Sequence, residues 1–424
     1  MVAERRDQFQ IGCNNSSRIS LQFQQETEET GDGSLSPNSD NSPNFLKKET
    51  ENRPLSPTVL YYYGINLTPR RQTMTAQYND KESNRTIYFD YLRVFASIAI
   101  MLLHISSDQW AEIDVNSFQW QTLNVYNSIS RWGVAVFVMI SGAIFLSREI
   151  PISKIYSKYI LRMVLTFIAW STFYAVYEDG AKKEMMESII LGCYHMWFIL
   201  MIIGLYACLP FLRRIAQDRK TAMYFFALFL VFTVLMPETT SLIKDFGGDT
   251  LNAVIKLVNK DIRKLGLNMI TGFSGYFLLG YYLNNYEFSK KQRRIIYAEG
   301  ILGFAVTIVL SSLASLRAQA PNENYFDSFT VNILLECVAV FVWFKYRKFE
   351  NTRMNLLFQH LSKYSFGAYL VHVLIIRKLR RAGFDTLMMN PIGSVILILA
   401  AVCFISFMIS AVLNHVPIVK KYLV

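Results

Sequence analysis

The sequence is poor in charge. Only 18% of its 424 residues are charged and 52% are hydrophobic. In soluble domains roughly a quarter of the residues are charged. Cysteine is scarce as well: the five cysteines form no CxxC or Cys/His spacing, which argues against a disulfide framework and against a zinc site. Residues 1–85 are not expected to act as a signal peptide, because they contain no basic segment followed by an apolar one. These features indicate a protein that crosses a membrane several times.

The net charge of +11 has two possible meanings. In a soluble protein it would suggest nucleic acid binding. Here most of the excess lies in short loops between apolar segments, where Lys and Arg mark the cytoplasmic side. The loop after the first segment is acidic instead, with Asp108, Glu112 and Asp114. The sequence therefore predicts a multi-pass protein of the cell membrane with both termini in the cytoplasm and no nucleic acid partner.

Residues 1–85 differ from the rest of the chain. The stretch QQETEETGDGSLSPNSDNSPNF is rich in Ser, Asn, Pro, Gly and acidic residues, a composition that cannot bury enough apolar surface to fold. It predicts a disordered polar tail. An alternative is that the native chain starts at Met74, which would place a short polar leader directly before the first membrane helix.

After residue 85, apolar segments of about 20 residues follow one another, as membrane-spanning helices require. The sequence predicts an all-α fold, a polytopic bundle of about ten transmembrane helices that forms one domain over residues 86–424. The predicted segments are 87–106, 131–147, 159–177, 195–212, 221–237, 268–285, 296–316, 328–346, 356–376 and 393–415.

The first segment, YFDYLRVFASIAIMLLHISS, carries a polar seam. Arg93 and His104 are eleven residues apart, which places them on nearly one helix face, about 16 Å apart along the axis. Asp90 precedes Arg93 by one turn and can neutralise it. In one interpretation Asp90 and Arg93 anchor the helix at the interface and His104 caps its outer end. In the other, His104 is a general base, since its ordinary pKa near 6.5 suits proton abstraction at neutral pH.

Further sequence motifs follow in order along the chain. The first segment, with Arg, ten residues and then His, resembles the opening motif of the acyltransferase 3 family of integral-membrane O-acyltransferases. Further stretches resemble later motifs of the same family, and together they cover about residues 86–416. These stretches are GVAVFVMISGAIFL (133–146), YILRMVLTFIAWSTFY (159–174), HMWFILMIIGLYACLPFL (195–212), GYFLLGYYL (275–283) and YSFGAYLVH (364–372).

The resemblance implies a fold of ten membrane helices and an activity. Members of the family transfer an acetyl group from acetyl-CoA, bound on the cytoplasmic side, to a hydroxyl of a glycan or lipid-linked sugar. It also implies that Arg93 and His104 are the catalytic pair. The W-S-x-x-Y and H-x-W-F details resemble the branch that contains the O-acetyltransferase of enterobacterial common antigen.

The same resemblance implies a basic donor site before the third helix, where the family has an Arg-x-x-Arg signature. The nearest match here is Lys158 and Arg162, with different spacing and Lys in place of Arg. Lys makes weaker bidentate contacts to phosphate than Arg does. With Lys154, these residues are predicted to bind the CoA phosphates.

Residues near the outer interface are candidates for acceptor binding. His195 and Trp197 either contact the substrate or anchor a helix in the aromatic belt. Arg380 and Arg381 belong to the basic stretch RKLRRAGF, which either binds an anionic group of the acceptor or marks a helix that extends further than predicted.

Other intramembrane polar residues have structural interpretations. A core position is the favoured interpretation for His372, and close helix packing for Ser141 and Gly142. Glu336 is a functional candidate, but the sequence offers it no obvious partner.

A second class of function also fits a multi-span bundle with buried charges, namely a transporter or exporter of an envelope precursor. Transporters usually show internal repeats and broken helices in corresponding positions, and no internal repeat is evident here. The sequence therefore favours a membrane enzyme that uses acetyl-CoA and no metal.

Overall fold

The computed structural model describes residues 86–178, 182–263 and 268–424. The predicted disordered tail, residues 1–85, and the alternative start at Met74 lie outside the described residues.

The described residues form helices that are joined by short connections, as expected where every backbone polar group in a bilayer must be satisfied within its own segment. The helices are α1 (Ile87–Ser107), α2 (Phe118–Ser128), α3 (Trp132–Phe145), α4 (Leu161–Glu178), α5 (Lys182–Leu191), α6 (Trp197–Ala207), α7 (Leu209–Gln217), α8 (Arg219–Leu228), α9 (Met236–Phe246), α10 (Asp249–Arg263), α11 (Asn268–Asn285), α12 (Lys290–Ala318), α13 (Val331–Tyr346), α14 (Thr352–Arg381), α15 (Pro391–Leu413) and α16 (Pro417–Tyr422).

Some connections are themselves helical. A short α-helical turn (Ile152–Lys154) and a π-helix (Ile155–Ile160) lead into α4, and a second π-helix (Phe229–Leu235) joins α8 to α9. A 3-10 turn (Tyr194–Met196) precedes α6. π-Helices are rare and occur often at functional sites, and the first of these contains the predicted donor residue Lys158.

The all-α membrane bundle predicted from the sequence is confirmed. Within the described ranges, eight helical segments are long and apolar enough to cross a membrane. The predicted sixth and ninth spans are helical too: α11 covers 18 residues but is broken by a kink at Gly272, and α14 has 30 residues. They are more polar than the other eight, because α11 ends in Asn284 and Asn285 and α14 begins and ends in polar residues. The positive charges of RKLRRAGF lie in the last two turns of α14.

Helix α1 lies at the centre of the bundle. In the most apolar stretch of α1, 61% of the residues are buried within the protein, compared with 28% in that of α15. It packs against α14, α3 and α15, while α3 packs against α11 and α12 packs against α13. A helix surrounded by protein rather than lipid can carry polar side chains, so the position of α1 explains how its polar seam is tolerated.

Glycines allow the closest of these helix contacts. A Cβ atom added at Gly142 of α3 would lie 1.8 Å from the backbone oxygen of Phe277, and one added at Gly280 of α11 would lie 1.9 Å from that of Met139. The two contacts are reciprocal, so the helices cross in an antiparallel sense with their backbones touching. This geometry agrees with the packing role predicted for Gly142.

The buried acid Glu336 has a partner that the sequence did not reveal. One of its carboxylate oxygens accepts a hydrogen bond of 2.6 Å from the hydroxyl of Thr307, across the contact between α13 and α12. The Asn332 side chain donates to the same hydroxyl at 2.7 Å and to the Tyr325 carbonyl at 2.9 Å. This network satisfies one carboxyl oxygen of the fully buried Glu336, while Oε2 has no hydrogen-bond partner among the described residues.

Candidate active site

Three of the five histidines in the chain meet inside the bundle. The ring centroids of His104 and His372 are 5.1 Å apart, those of His195 and His372 are 5.3 Å apart, and those of His104 and His195 are 6.5 Å apart. We call these three residues the histidine cluster. The remaining histidines, His360 and His415, are exposed, so the cluster is a distinct feature of the interior.

His104 enters the cluster from the last turn of α1. It is half-buried, and its ring packs edge-on against Tyr194 with centroids 5.4 Å apart. No hydrogen bond joins the His104 ring to any residue that the structure describes. Its ring is therefore held by packing and remains available to exchange a proton with a bound molecule.

His195 lies in the 3-10 turn before α6 and is only 2% exposed. Its backbone carbonyl accepts a hydrogen bond from the hydroxyl of Tyr369. Neither ring nitrogen has a hydrogen-bond partner among the described residues. Because buried polar atoms usually find partners, two bare nitrogens indicate a position that a ligand or water completes.

His372 lies in the middle of α14 and is fully buried. Its Nδ1 contacts the backbone carbonyl of Tyr369, whereas its Nε2 has no hydrogen-bond partner within the described ranges. The sequence favoured a satisfied core histidine at this position. The structure buries the residue but satisfies only one of its two nitrogens.

Tyrosines hold the cluster in place. Tyr174 of α4 donates a 2.8 Å hydrogen bond to the Leu370 carbonyl of α14, and its ring lies 5.4 Å from that of His195. Tyr369 packs against His195 at 5.6 Å. Hydrogen bonds from both phenols therefore connect α14 to α4 and to the turn before α6, which fixes the three histidines relative to one another.

Two guanidinium groups border the cluster. Arg131, at the start of α3, and Arg377, in the last turns of α14, both lie within electrostatic range of His104. The Arg131 guanidinium stacks 4.1 Å above the centre of the Phe326 ring, and that of Arg377 lies 5.5 Å from the Tyr194 ring. Fixed positive groups beside a potential base can stabilise negative charge that develops during acyl transfer.

The predicted catalytic pair is divided between the two ends of α1. Arg93 is half-buried and lies within electrostatic range of the Tyr206 hydroxyl, as does Arg162. Tyr206 follows His195 by eleven residues, the same spacing that separates Arg93 from His104. Helices α1 and α6 thus run antiparallel, with the histidines at one end and the arginines about 16 Å away at the other.

The predicted donor residues lie at the arginine end. Lys154 and Lys158 are exposed, and the Lys158 ammonium lies 5.7 Å from the Tyr159 ring. Arg162 is half-buried and donates to the backbone oxygen of Val424. Two exposed lysines beside a half-buried arginine form a basic entrance that could receive phosphates.

The predicted acceptor residues occupy different surroundings. His195 belongs to the histidine cluster, but Trp197 is 43% exposed and packs at 5.6 Å against Phe273, away from it. Arg381 is exposed, with its guanidinium 6.0 Å from the Tyr177 ring. The Tyr177 ring also lies 4.9 Å from the Lys378 ammonium. These contacts form an aromatic and cationic rim where α4 and α14 end.

Arg380 makes ion pairs to the loop after α1. Its guanidinium lies 3.2 Å from the Asp108 carboxylate and 2.9 Å from that of Glu112. Burial raises the pKa of Asp108, and the nearby Arg380 opposes that change. The acidic first loop and the basic end of α14 therefore lie at the same end of the bundle, next to the histidine cluster.

We expect Arg380 to act in stability more than in acceptor binding. Replacement of Arg380 by Ala should lower the free energy of unfolding by about 1 kcal/mol, the usual upper range for partly exposed ion pairs, and should speed proteolysis of the 108–117 loop. The Arg381→Ala variant is the matched control for stability and should match the unchanged protein in free energy of unfolding and in loop proteolysis. A higher KM for the acceptor, with unchanged loop proteolysis, would instead assign Arg380 to the acceptor.

Sequence reasoning did not assign a chemical role to His372, Tyr174 or Arg131. His372 and Tyr174 nevertheless lie inside the YSFGAYLVH and W-S-x-x-Y motifs, so the motifs carried a signal. The sequence signal for Arg131 was weaker, because it is only a single cation directly before an apolar helix. Within the described part of the chain, no group of three or more His, Cys, Asp or Glu side chains is arranged to hold a metal ion.

These features define a polytopic membrane protein with a buried histidine site. Comparison with sequence families identifies it further: the model described as an acyltransferase domain, that of the acyltransferase 3 family, matches residues 86–413. The chain belongs to this family and is a membrane acyltransferase. Neither the curated proteins nor the solved structures yield a match.

Proposed function

We propose that the protein transfers an acetyl group from acetyl-CoA to a hydroxyl of a cell-envelope glycan or lipid-linked sugar. The observation that carries this proposal is the histidine cluster, buried among protein and connected along α1 and α6 to a basic end. A half-buried imidazole that is free of hydrogen bonds to the described residues, as that of His104 is, suits general base catalysis. The family membership supports acyl transfer as the reaction class.

His104 is the general base in this mechanism. It removes the proton of the acceptor hydroxyl while the hydroxyl oxygen bonds to the thioester carbon. The carbon–sulfur bond breaks as the carbonyl is restored, and the proton passes from His104 to the departing CoA sulfur. Arg131 and Arg377 are positioned to stabilise the negative charge that forms on the carbonyl oxygen between these events.

The basic end of the bundle is the proposed entrance for acetyl-CoA. Lys154, Lys158 and Arg162 bind its phosphates, and Arg93 orients the part of the donor that enters the bundle. The acetyl end must then reach about 16 Å along α1 to arrive at His104. In this proposal the donor site faces the cytoplasm and both termini are cytoplasmic, an orientation that the loop charges support.

The acceptor approaches from the opposite face. His195 lies where it can hydrogen-bond to the acceptor, because both of its nitrogens are open. The rim of Arg381, Lys378 and Tyr177 then contacts the remainder of the sugar. The W-S-x-x-Y and H-x-W-F motifs supply Tyr174 and His195 to the site, which supports the branch of the enterobacterial common antigen O-acetyltransferase and a plasma membrane location.

Acetyl transfer can be tested directly in membranes. Membranes that contain the protein are incubated with acetyl-CoA that carries a radiolabelled acetyl group, and release of the free CoA thiol and label in envelope glycans are measured together. We expect both, and we expect the envelope glycan to gain the mass of one acetyl group in cells with the gene. Absence of thiol release, with accumulation of an unmodified precursor on one side of the membrane, would favour an exporter.

A further inference from the structure

The tautomer of His372 is fixed by its surroundings. Its Nδ1 contacts the Tyr369 backbone carbonyl, and a carbonyl oxygen can only accept a hydrogen bond. Nδ1 therefore carries the ring hydrogen. In a neutral imidazole the other nitrogen is then an acceptor, so Nε2 of His372 presents a lone pair to the interior of the site.

This lone pair has no partner among the described residues, although His372 is fully buried. The ring lies between those of His104 and His195, at 5.1 Å and 5.3 Å. The shorter separation is about the sum of two imidazole radii and one hydrogen bond of about 2.9 Å. The two rings share no hydrogen bond in the structure and their planes are tilted by 39°, so the pairing requires the His104 ring to turn one nitrogen towards His372.

We propose that His372 accepts the ring hydrogen of His104 and thereby turns the bare nitrogen of His104 towards the acceptor hydroxyl. This proposal rests on the proposed function, in which His104 is the base. His372 is a positioning residue, equivalent in place to the group that orients a histidine base in other acyl-transfer enzymes. Here that group is a neutral imidazole.

The proton balance follows from this arrangement. When His104 takes the hydroxyl proton it becomes an imidazolium, and its hydrogen bond to Nε2 of His372 stabilises that cation. When the carbon–sulfur bond has broken, the proton goes to the CoA sulfur and His104 is neutral again. His372 keeps its Nδ1 hydrogen throughout, so it neither gains nor loses a proton over the cycle.

Several titratable and charged groups face this pair and share its electrostatic field. His195 and Tyr194 face it from the turn before α6, Tyr369 and Arg377 from α14, and Arg131 from the start of α3. Variants at His372 must therefore be compared with each other rather than with the unchanged protein alone, because each leaves these neighbours in place.

Two amide replacements separate orientation from packing. In His372→Gln the side-chain amide reaches the position of Nε2 and supplies an acceptor to His104. In His372→Asn it reaches only the position of Nδ1, so it can satisfy the Tyr369 carbonyl but not His104. Exposed His360 lies on the same helix, and His360→Asn is the matched control.

The transfer of radiolabelled acetyl from acetyl-CoA is measured in membranes with each variant. We expect His372→Asn to lower kcat by about 100-fold, the scale of a lost acid–base contribution, with KM for acetyl-CoA unchanged and with an altered pH profile. His372→Gln should stay within about tenfold of the unchanged protein. Equal kcat values for the Asn and Gln variants would overturn the proposal.

A second measurement needs neither acetyl-CoA nor acceptor. Diethylpyrocarbonate modifies neutral imidazole nitrogens, and peptide mass spectrometry reports its rate at His104 as the pH is varied. We expect the pH profile at His104 to change in His372→Asn and to be retained in His372→Gln. If the unchanged protein transfers no acetyl group but this pattern holds, the proposed function fails and the pairing stands. If acetyl is transferred and both variants match the unchanged protein, the pairing of His104 with His372 is wrong and the proposed function stands.

Discussion

Replacement of His104 by alanine should abolish acetyl transfer while leaving the protein folded. The expected loss in kcat is about 1000-fold, within the range for removal of a general base, because His104 is half-buried whereas His195 and His372 are almost fully buried and do not replace it as the base. The measurement is transfer of radiolabelled acetyl from acetyl-CoA in membranes that contain equal amounts of each variant.

The fold should survive because the His104 ring makes no hydrogen bond to the described residues and is only half-buried. Its loss removes no hydrogen bond that the structure shows, and Nε2 of His372 is already without a partner among the described residues, so no large new penalty for an unsatisfied group arises. His360→Ala and His415→Ala remove exposed histidines and are the controls for both activity and thermal stability. Wild-type activity in His104→Ala would remove the central residue of the proposed mechanism.

The bundle itself could be predicted from the sequence because each membrane span has a local sequence pattern. A run of about 20 apolar residues is sufficient, whatever its neighbours are. Helices α11 and α14 show the limit of this reasoning. They include polar residues at their ends, and their helical structure depends on protein neighbours such as α3 and α15 rather than on lipid.

The site was predictable only in part, for a related reason. Arg93 and His104 share one helix, so a spacing of eleven residues was enough to relate them. His195 and His372 reach His104 from distant segments, and no local pattern states that α1, α6 and α14 converge at one depth. Their meeting depends on tertiary contacts, including the hydrogen bonds of Tyr174 and Tyr369.

The basic residues were likewise predictable only in part. The run of cations at the end of α14 was visible in the sequence, but its partners were not. Arg380 pairs with Asp108 and Glu112 more than 260 positions earlier in the chain. The acidity of the first loop, first interpreted as a sign of topology, thus has a second role in holding that loop against α14.

The reciprocal contact between α3 and α11 should be the position least tolerant of a single methyl group. A Cβ at Gly142 would meet the Phe277 carbonyl at 1.8 Å, and that carbonyl belongs to the backbone. No side-chain rotation can relieve such a contact, so the two helices must separate along their length. We expect Gly142→Ala to lower the free energy of unfolding by about 3 kcal/mol or more, at the upper end for overpacking.

The effect should be visible as a lower thermal midpoint in detergent and less protein in the membrane. Gly204→Ala is the matched control, since Gly204 lies in the membrane helix α6 with open space around its added Cβ. There the same substitution should be neutral or slightly stabilising, because Ala favours a helix over Gly. Because Arg131 borders the histidine cluster from the start of α3, displacement of α3 should also reduce acetyl transfer. Equal stability of Gly142→Ala and Gly204→Ala would mean that the backbones of α3 and α11 do not touch at this crossing.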